Sequence, residues 1–260
     1  MGELLSVLIL AFLQGVAEFL PISSSGHLVI AQNIFHVGEP DLRLDVFLHV
    51  GTLVSILLFY RKTVMRILKG LVAFDGESLK YVFMICISAV PAVALYLFAG
   101  DVLESLFKDP QAVGAFLMFT SAVLVAVKFI PQGTKKFTVS KAFWTGCAQA
   151  VALLPGVSRS GMTIVAAKAQ KVPSGQAAEF SFLMSTPLIV GAALLQALKP
   201  QPETVQHFTS WGLVIVGSVV AAIVGYVSLC ILVKALKSPK FWWFAPYCFF
   251  AGAATLAFAR

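Results

Sequence analysis

The chain is 260 residues long, 59% hydrophobic and 12% charged, with a formal net charge of +7. A soluble domain carries about 25% charged residues, so nineteen Lys/Arg and twelve Asp/Glu cannot clothe a water-facing globule of this size, and a mean hydropathy of +0.90 points to an integral membrane protein. The positive charge lies in short gaps between apolar runs, as in cytoplasmic loops, and no aromatic-basic surface segment accompanies it, which argues against nucleic acid as a partner.

The first apolar stretch, 4–34, is interrupted. From Gln14 it reads QGVAEFLPISSSGHLVIA: a helical run meets Pro21, then the turn Ser23-Ser24-Ser25-Gly26, then a second short apolar run. Proline removes a backbone donor and crowds the preceding turn, while serine and glycine supply caps and conformational freedom. A helix of about 15 residues covers about 22 Å, short of a hydrocarbon core of about 30 Å. The spacing therefore predicts a re-entrant hairpin. No basic n-region or cleavage site precedes it, so this start reads as mature structure rather than a signal peptide.

Spans are predicted at 44–60, 81–98 and 111–130, the first two separated by a basic loop over 61–80 with Arg61, Lys62, Arg66, Lys69 and Lys80. A second basic loop, 128–141, leads into another interrupted stretch, 142–167, which from Gln149 reads QAVALLPGVSRSGMTIVA. Spans at 179–198, 211–232 and 241–258 complete the chain. If six spans cross and both interrupted stretches re-enter, fourteen Lys/Arg fall on one side and loop 61–80 lies in the cytoplasm. The other side receives only Arg43, Lys108, Lys199 and Arg260. The cysteines Cys86, Cys147, Cys230 and Cys248 lie in apolar stretches without CxxC spacing and read as small core or lipid-facing residues. Trp211, Trp242, Trp243 and Tyr247 sit near span ends, where aromatic belts form.

The interrupted stretches resemble each other. An offset of 135 pairs Gln14 with Gln149, Val16 with Val151, Ala17 with Ala152, Ser23 with Ser158, Ser25 with Ser160, Gly26 with Gly161 and Ala31 with Ala166. One re-entrant hairpin plus three transmembrane helices then makes each half, about 1–130 and about 136–260 of a single membrane domain. An odd number of crossings inverts the second half. The expected fold is an all-α polytopic membrane protein with an inverted-topology repeat, an arrangement found in transporters. A plain bundle with close-packed glycines accounts for single small residues but not for paired Pro and Ser/Gly breaks.

Ionisable residues at membrane depth are costly and usually functional. Here they are Glu18, His27, Asp45, His49, Arg159 and Glu179. Gln14 and Glu18, four apart, share a helical face. The Ser/Gly turns Ser23–Gly26 and Ser158–Gly161 suit anions, because first-turn amides and the helix dipole favour negative charge; Arg159 adds a bidentate fork for phosphate oxygens. If the two turns meet, Ser23, Ser25, Gly26, Ser158, Arg159, Ser160 and Gly161 form a phosphate-binding set. Glu18, with Gln14 as a neutral helper, suits a divalent cation, and His27 suits proton transfer. Ser24 is either a phosphate donor or the attacking group; water is the other nucleophile. Blander readings stand beside these. Arg159 forms a structural ion pair with Glu18 or Glu179; Asp45 and Glu179 cap helix starts; His49 is either a packed side chain or a neighbour of the site.

The run Gln14–His27 resembles the (E/Q)xxxE signature and Ser/Gly-His turn of bacterial undecaprenyl-diphosphate phosphatases of the bacitracin-resistance type. Pro155-Gly-Val-Ser-Arg159-Ser-Gly161 resembles that family's PGxSRSG signature, and Asp45–Thr52 and Glu179–Pro187 resemble its remaining blocks. The resemblance covers nearly the whole chain. It implies removal of the terminal phosphate of undecaprenyl diphosphate, recycling a lipid carrier for peptidoglycan synthesis in the bacterial inner membrane. It also implies dependence on a divalent cation (Mg²⁺ or Ca²⁺), an inverted-repeat fold and a homodimer. By motif, Glu18, His27, Ser24 and Arg159 take the catalytic positions, with Asp45, His49 and Glu179 around them. Gln at 14 leaves one carboxylate fewer than members with Glu there. The rival reading is a transporter or flippase for a phosphorylated lipid or anion. Against it, Glu18 pairs with Leu153 and His27 with Met162, a one-sided acid/base set that a transporter does not need.

Overall fold

The computed structural model describes residues 2–35, 42–198, 209–238 and 240–258; Lys199 and Arg260 lie outside them. The described residues form helices and no strand. In chain order these are α1 (Glu3–Ala17), α2 (Ser24–Phe35), α3 (Leu42–Phe59), α4 (Arg61–Val72), α5 (Gly76–Phe107), α6 (Pro110–Ala126), α7 (Val139–Val151), α8 (Arg159–Ala169), α9 (Ser174–Leu183), α10 (Thr186–Leu198), α11 (Trp211–Leu236) and α12 (Phe244–Phe258). Short 3₁₀ turns follow α6 and precede α12. Helix starts are set locally. Asp75 accepts from the Ser78 amide at 2.9 Å, and Asp109 from the Gln111 amide at 2.9 Å with Pro110 in the first helical position.

By length and composition, four helical segments suffice to cross a membrane: α5, α6 with its 3₁₀ extension, α11, and α12 with its preceding turn. Among the described residues a fifth is reached only by taking α3 and α4 together, a pair bent by 81° that reads as a broken span or a re-entrant loop. Three expectations are corrected. Much of the stretch read as loop 61–80 is helix α4. The span expected over 179–198 is two helices, α9 and α10, parted at Met184 and Ser185; Pro187 has no amide to continue the ladder and crowds the turn before it. Glu179 is therefore inside α9 and caps no helix start. The span expected to end at 98 runs on to Phe107, turning at Ala99, whose φ of −135° is not helical.

The largest apolar core gathers Phe19, Ile56, Leu124, Ile164, Phe182, Leu229 and Leu232. Around it α11 packs on α1 and α3, α5 on α7, and α6 on α12. Lipid tails offer no hydrophobic drive between helices, so close backbone approach through small residues does that work. A Cβ at Gly146 would stand 2.3 Å from the Ser88 carbonyl oxygen, and one at Gly252 would stand 2.6 Å from that of Gly114. Trp211, Trp242 and Trp243 lie against Arg43, Lys128 and Lys240, with the cations 4.7, 4.9 and 5.0 Å from the ring centres, as expected of an interfacial belt. Tyr247, about half exposed, bonds and stacks on His27 instead of meeting a cation.

Candidate active site at the meeting of two helix breaks

The chain between α1 and α2 (18–23) and that between α7 and α8 (152–158) come together. A Cβ on Gly26 would lie 3.0 Å from the Gly156 Cα, and one on Gly161 would lie 3.4 Å from the Pro21 Cβ. Under the offset of 135, these two contacts exchange with each other. The turns are built alike. Ser23 Oγ accepts from the Gly26 amide at 3.3 Å and meets Ser25 Oγ at 3.3 Å; Ser158 Oγ accepts from the Gly161 amide at 3.1 Å and meets Ser160 Oγ at 3.3 Å. The backbone turns differently at each: Ser23 has φ +71° and Ser158 φ −74°. Gly156, at φ +97°, adopts a conformation that side chains resist. Thr120 of α6 bridges the second break, donating to the Gly156 carbonyl at 2.8 Å and accepting from the Ser158 amide at 3.0 Å.

A cavity of about 190 Å³ opens at this meeting point. Its polar wall is Glu18, Ser23, Ser24, Ser25, His49 and Arg159; its apolar wall is Ala17, Phe107, Ala152, Leu153 and Val157. Glu18, 7% exposed, organises the polar side. Its Oε1 accepts from the Arg159 guanidinium across 141 positions of sequence. Its Oε2 accepts from Ser24 Oγ at 2.7 Å and Gln14 Nε2 at 3.1 Å, with His49 Nε2 at 3.7 Å. A serine hydroxyl donating to a carboxylate is the geometry of a nucleophile and its base. Buried guanidinium beside carboxylate is tolerable because each neutralises the other. Arg159 spends only part of its fork here: Nη1 is buried without a partner.

The remaining expected residues divide. Gly26, Ser158, Ser160 and Gly161 lie behind the cavity wall, buried, and shape the turns. His27 is not among the lining residues. Its Nδ1 bonds the Ser23 carbonyl at 2.8 Å, so the neutral ring carries its proton there and Nε2 accepts from the Tyr247 hydroxyl at 2.7 Å, with the rings stacked 5.5 Å apart. The imidazole in the cavity is that of His49, whose Nδ1 donates to the Asp45 carbonyl at 2.8 Å, leaving Nε2 toward Glu18. Glu179 lies elsewhere, accepting from Thr63 of α4 at 3.0 Å. The sequence reading did not single out Phe107 or Thr120, and it took Tyr247 for a belt residue and not for a partner of His27. A threonine in mid-span was the available signal for Thr120; Phe107 carried none.

The described residues hold no group of three or more His, Cys, Asp or Glu suited to a metal. Glu18 and Gln14 do offer oxygens. Gln14 Oε1 is buried and unpartnered while its amide nitrogen is bound to Glu18. Both Glu18 oxygens already accept hydrogen bonds, so Gln14 Oε1 is the free oxygen here, and a divalent cation would need substrate phosphate oxygens to complete its shell. The second helix break has no counterpart: Gln149 is buried with both amide atoms unpartnered, and Leu153 stands where the first break has Glu18.

Fold and site together define a multi-pass membrane protein with a cavity, polar on one wall and apolar on the other, where two helix breaks meet. The chain belongs to the bacitracin resistance protein BacA family, which matches residues 7–254. It is similar to the undecaprenyl-diphosphatase of Desulfosudis oleivorans, 38% identical with 95% of this chain and 96% of that protein covered. It is also similar to that of Desulfatibacillum aliphaticivorans, at 34% with 97% of each covered, and to undecaprenyl-diphosphatase 3 of Bacillus cereus, at 36% with 98% of each covered.

Proposed function

We propose that this chain hydrolyses undecaprenyl diphosphate to the monophosphate and inorganic phosphate within the bacterial cell membrane. The observation that carries this reading is the buried, unpartnered Nη1 of Arg159 beside a serine turn, in a cavity whose other wall is apolar. Such a site accepts a phosphate group at one side and hydrocarbon at the other. The likeness to proteins named undecaprenyl-diphosphatase supports the particular substrate.

In the proposed reaction, Ser24 Oγ attacks the terminal phosphorus as its proton passes to Glu18 Oε2. The bond from that phosphorus to the bridging oxygen breaks, and the lipid monophosphate leaves as an anion. Water then cleaves the seryl phosphate. Arg159 and the first-turn amides of α2 and α8 take up charge developing on the phosphoryl oxygens, where low polarity makes them effective. Glu18 and Gln14 Oε1 would hold a Mg²⁺ or Ca²⁺, which when bound neutralises diphosphate charge. His27, through the Ser23 carbonyl, holds the turn that presents Ser24.

The inverted repeat belongs to the same proposal, with halves at about 1–130 and about 136–260 in one membrane domain. It is supported by the exchanging contacts of the two turns and by helix starts at Ser24 and Arg159, and at Gly76 and Trp211, that recur at the offset of 135. A homodimer is the remaining expectation, read out by the mass of the detergent-solubilised protein.

The test is phosphate release from a prenyl diphosphate by purified protein in detergent with added Mg²⁺ or Ca²⁺. Release is expected, with a chelator abolishing it, and R159A is expected to lower turnover about 10²–10³-fold. No release at neutral pH, or R159A turnover within a few-fold of the parent, would falsify the reading. The transporter reading fares worse because the acid, serine and imidazole gather on the first hairpin's side only.

A further inference from the structure

Helix α4 has no part in the cavity, yet its twelve residues are not spread at random. None is buried. Winding at about 3.6 residues per turn gives the helix three faces. Thr63, Val64, Ile67, Gly70 and Leu71 are half-buried on the protein side: Thr63 reaches Glu179, Val64 and Ile67 join the main core, and Gly70 rests on Ser78. The outward arc is divided. Met65, Leu68 and Val72 share one strip, 51%, 50% and 84% exposed. Lys62, Arg66 and Lys69 share the strip beside it, with Arg61 at the N-terminus.

The axis of α4 lies 81° from that of α3, the far more apolar member of this bent pair. A helix nearly perpendicular to a crossing one lies near the membrane plane. An in-plane helix with apolar and basic strips side by side sits at the boundary of acyl chains and headgroups. The charge is not spent inside the protein. Among the described residues, none of Arg61, Lys62, Arg66 and Lys69 pairs with a carboxylate. Of the three nearby acids, Glu179 accepts from Thr63 on the protein side of α4 and Asp75 is engaged with Ser78. Glu77 stands against Lys80 as well as the four α4 cations in the net charge of this end.

We propose that α4 is an interfacial helix that binds the phosphate headgroups of anionic phospholipids, with Met65, Leu68, Val72 and the 83% exposed Phe74 in the acyl boundary and Lys62, Arg66 and Lys69 on the headgroups. This site is separate from the cavity and does not depend on the reaction proposed there. Its occupant is committed by charge: four cations beside an apolar strip match an anionic leaflet and not a zwitterionic one.

The full-length protein, equilibrated in detergent with equal phosphatidylglycerol and phosphatidylcholine and then stripped of free lipid, is assayed for retained lipid. Phosphatidylglycerol should be retained preferentially, and the preference should fall with added salt. R61Q/K62Q/R66Q/K69Q should lower the preference about tenfold or more, whereas K135Q/K136Q, two exposed lysines of another loop, should leave most of it. Equal retention of the two lipids by the parent protein overturns the proposal. So does a preference that the K135Q/K136Q variant loses as fully as the α4 variant, because the binding would then be diffuse charge. Should the four-fold variant not fold, K62Q/K69Q on the exposed strip gives the same decision at smaller amplitude.

Discussion

At the scale of single residues, the site is a charge-balancing problem at membrane depth. Glu18 accepts hydrogen bonds from Arg159, Ser24 and Gln14, and deleting one member strands the others. Removing one partner of a buried pair costs about 3–5 kcal/mol, while replacing both by neutral groups is often tolerated. R159M should therefore lower the melting midpoint in detergent strongly, and E18Q/R159M should melt above R159M although both are inactive. A double variant less stable than R159M would mean that the pair does not carry this balance. His27 raises a different question. Asn can place a donor where Nδ1 of histidine sits, so H27N should keep the bond to the Ser23 carbonyl and retain clearly more turnover than H27A. Equal loss in both would return His27 to proton transfer and away from holding the turn.

At the scale of elements, the interruptions do the positioning. Pro21 and Pro155 lie in the breaks after α1 and α7, and Ser24 opens α2 while Ser158 caps α8, so both turns sit at one cavity. The long helix α5 shows the same local control at the aqueous edge. Asp75 caps it, and the Ser78 amide, then the Ser78 hydroxyl, hold the Asp75 carboxyl below the usual carboxylate range. A depressed folded-state pKa gives stabilisation that is present above the unfolded value of about 3.9 and is lost as pH falls through the lower folded value. Hydrogen-exchange protection of the Ser78 and Leu79 amides should hold from pH 7 to about 5 and decline below about 4. D75A should lack both the protection and its pH dependence; a decline that persists in D75A would exclude Asp75 as its source.

At the scale of the whole molecule, the two parts of the chain are joined by backbone approach as well as by the site. Gly114 of α6 and Gly252 of α12 each leave no room for a Cβ against the other's carbonyl oxygen, at 3.0 and 2.6 Å. G252A should overpack this crossing by about 1–3 kcal/mol and lower the melting midpoint by several degrees, at about 2–4 °C per kcal/mol. G212A, where a Cβ meets nothing within 4 Å, is the control and should melt like the parent. If G252A also melts like the parent, the crossing is looser than its geometry implies.

Composition and charge placement were sufficient for the membrane class, because a hydrocarbon solvent acts on every residue alike and needs no partner. The two interruptions were equally legible, since Pro21, Pro155 and the Ser/Gly runs act on their own backbone within a turn. The pairing of Glu18 with Arg159 was readable only as one option among several. Which faces meet was a matter for tertiary structure. Periodicity shows that His27 and His49 each lie on some helical face, but only packing turns His49 into the cavity and His27 onto Tyr247. The same holds for α4: its basic residues read as a loop, and only the structure shows them on a helix turned 81° from α3. Local rules decide where a helix stops; the direction it takes afterwards depends on residues more than a hundred positions away.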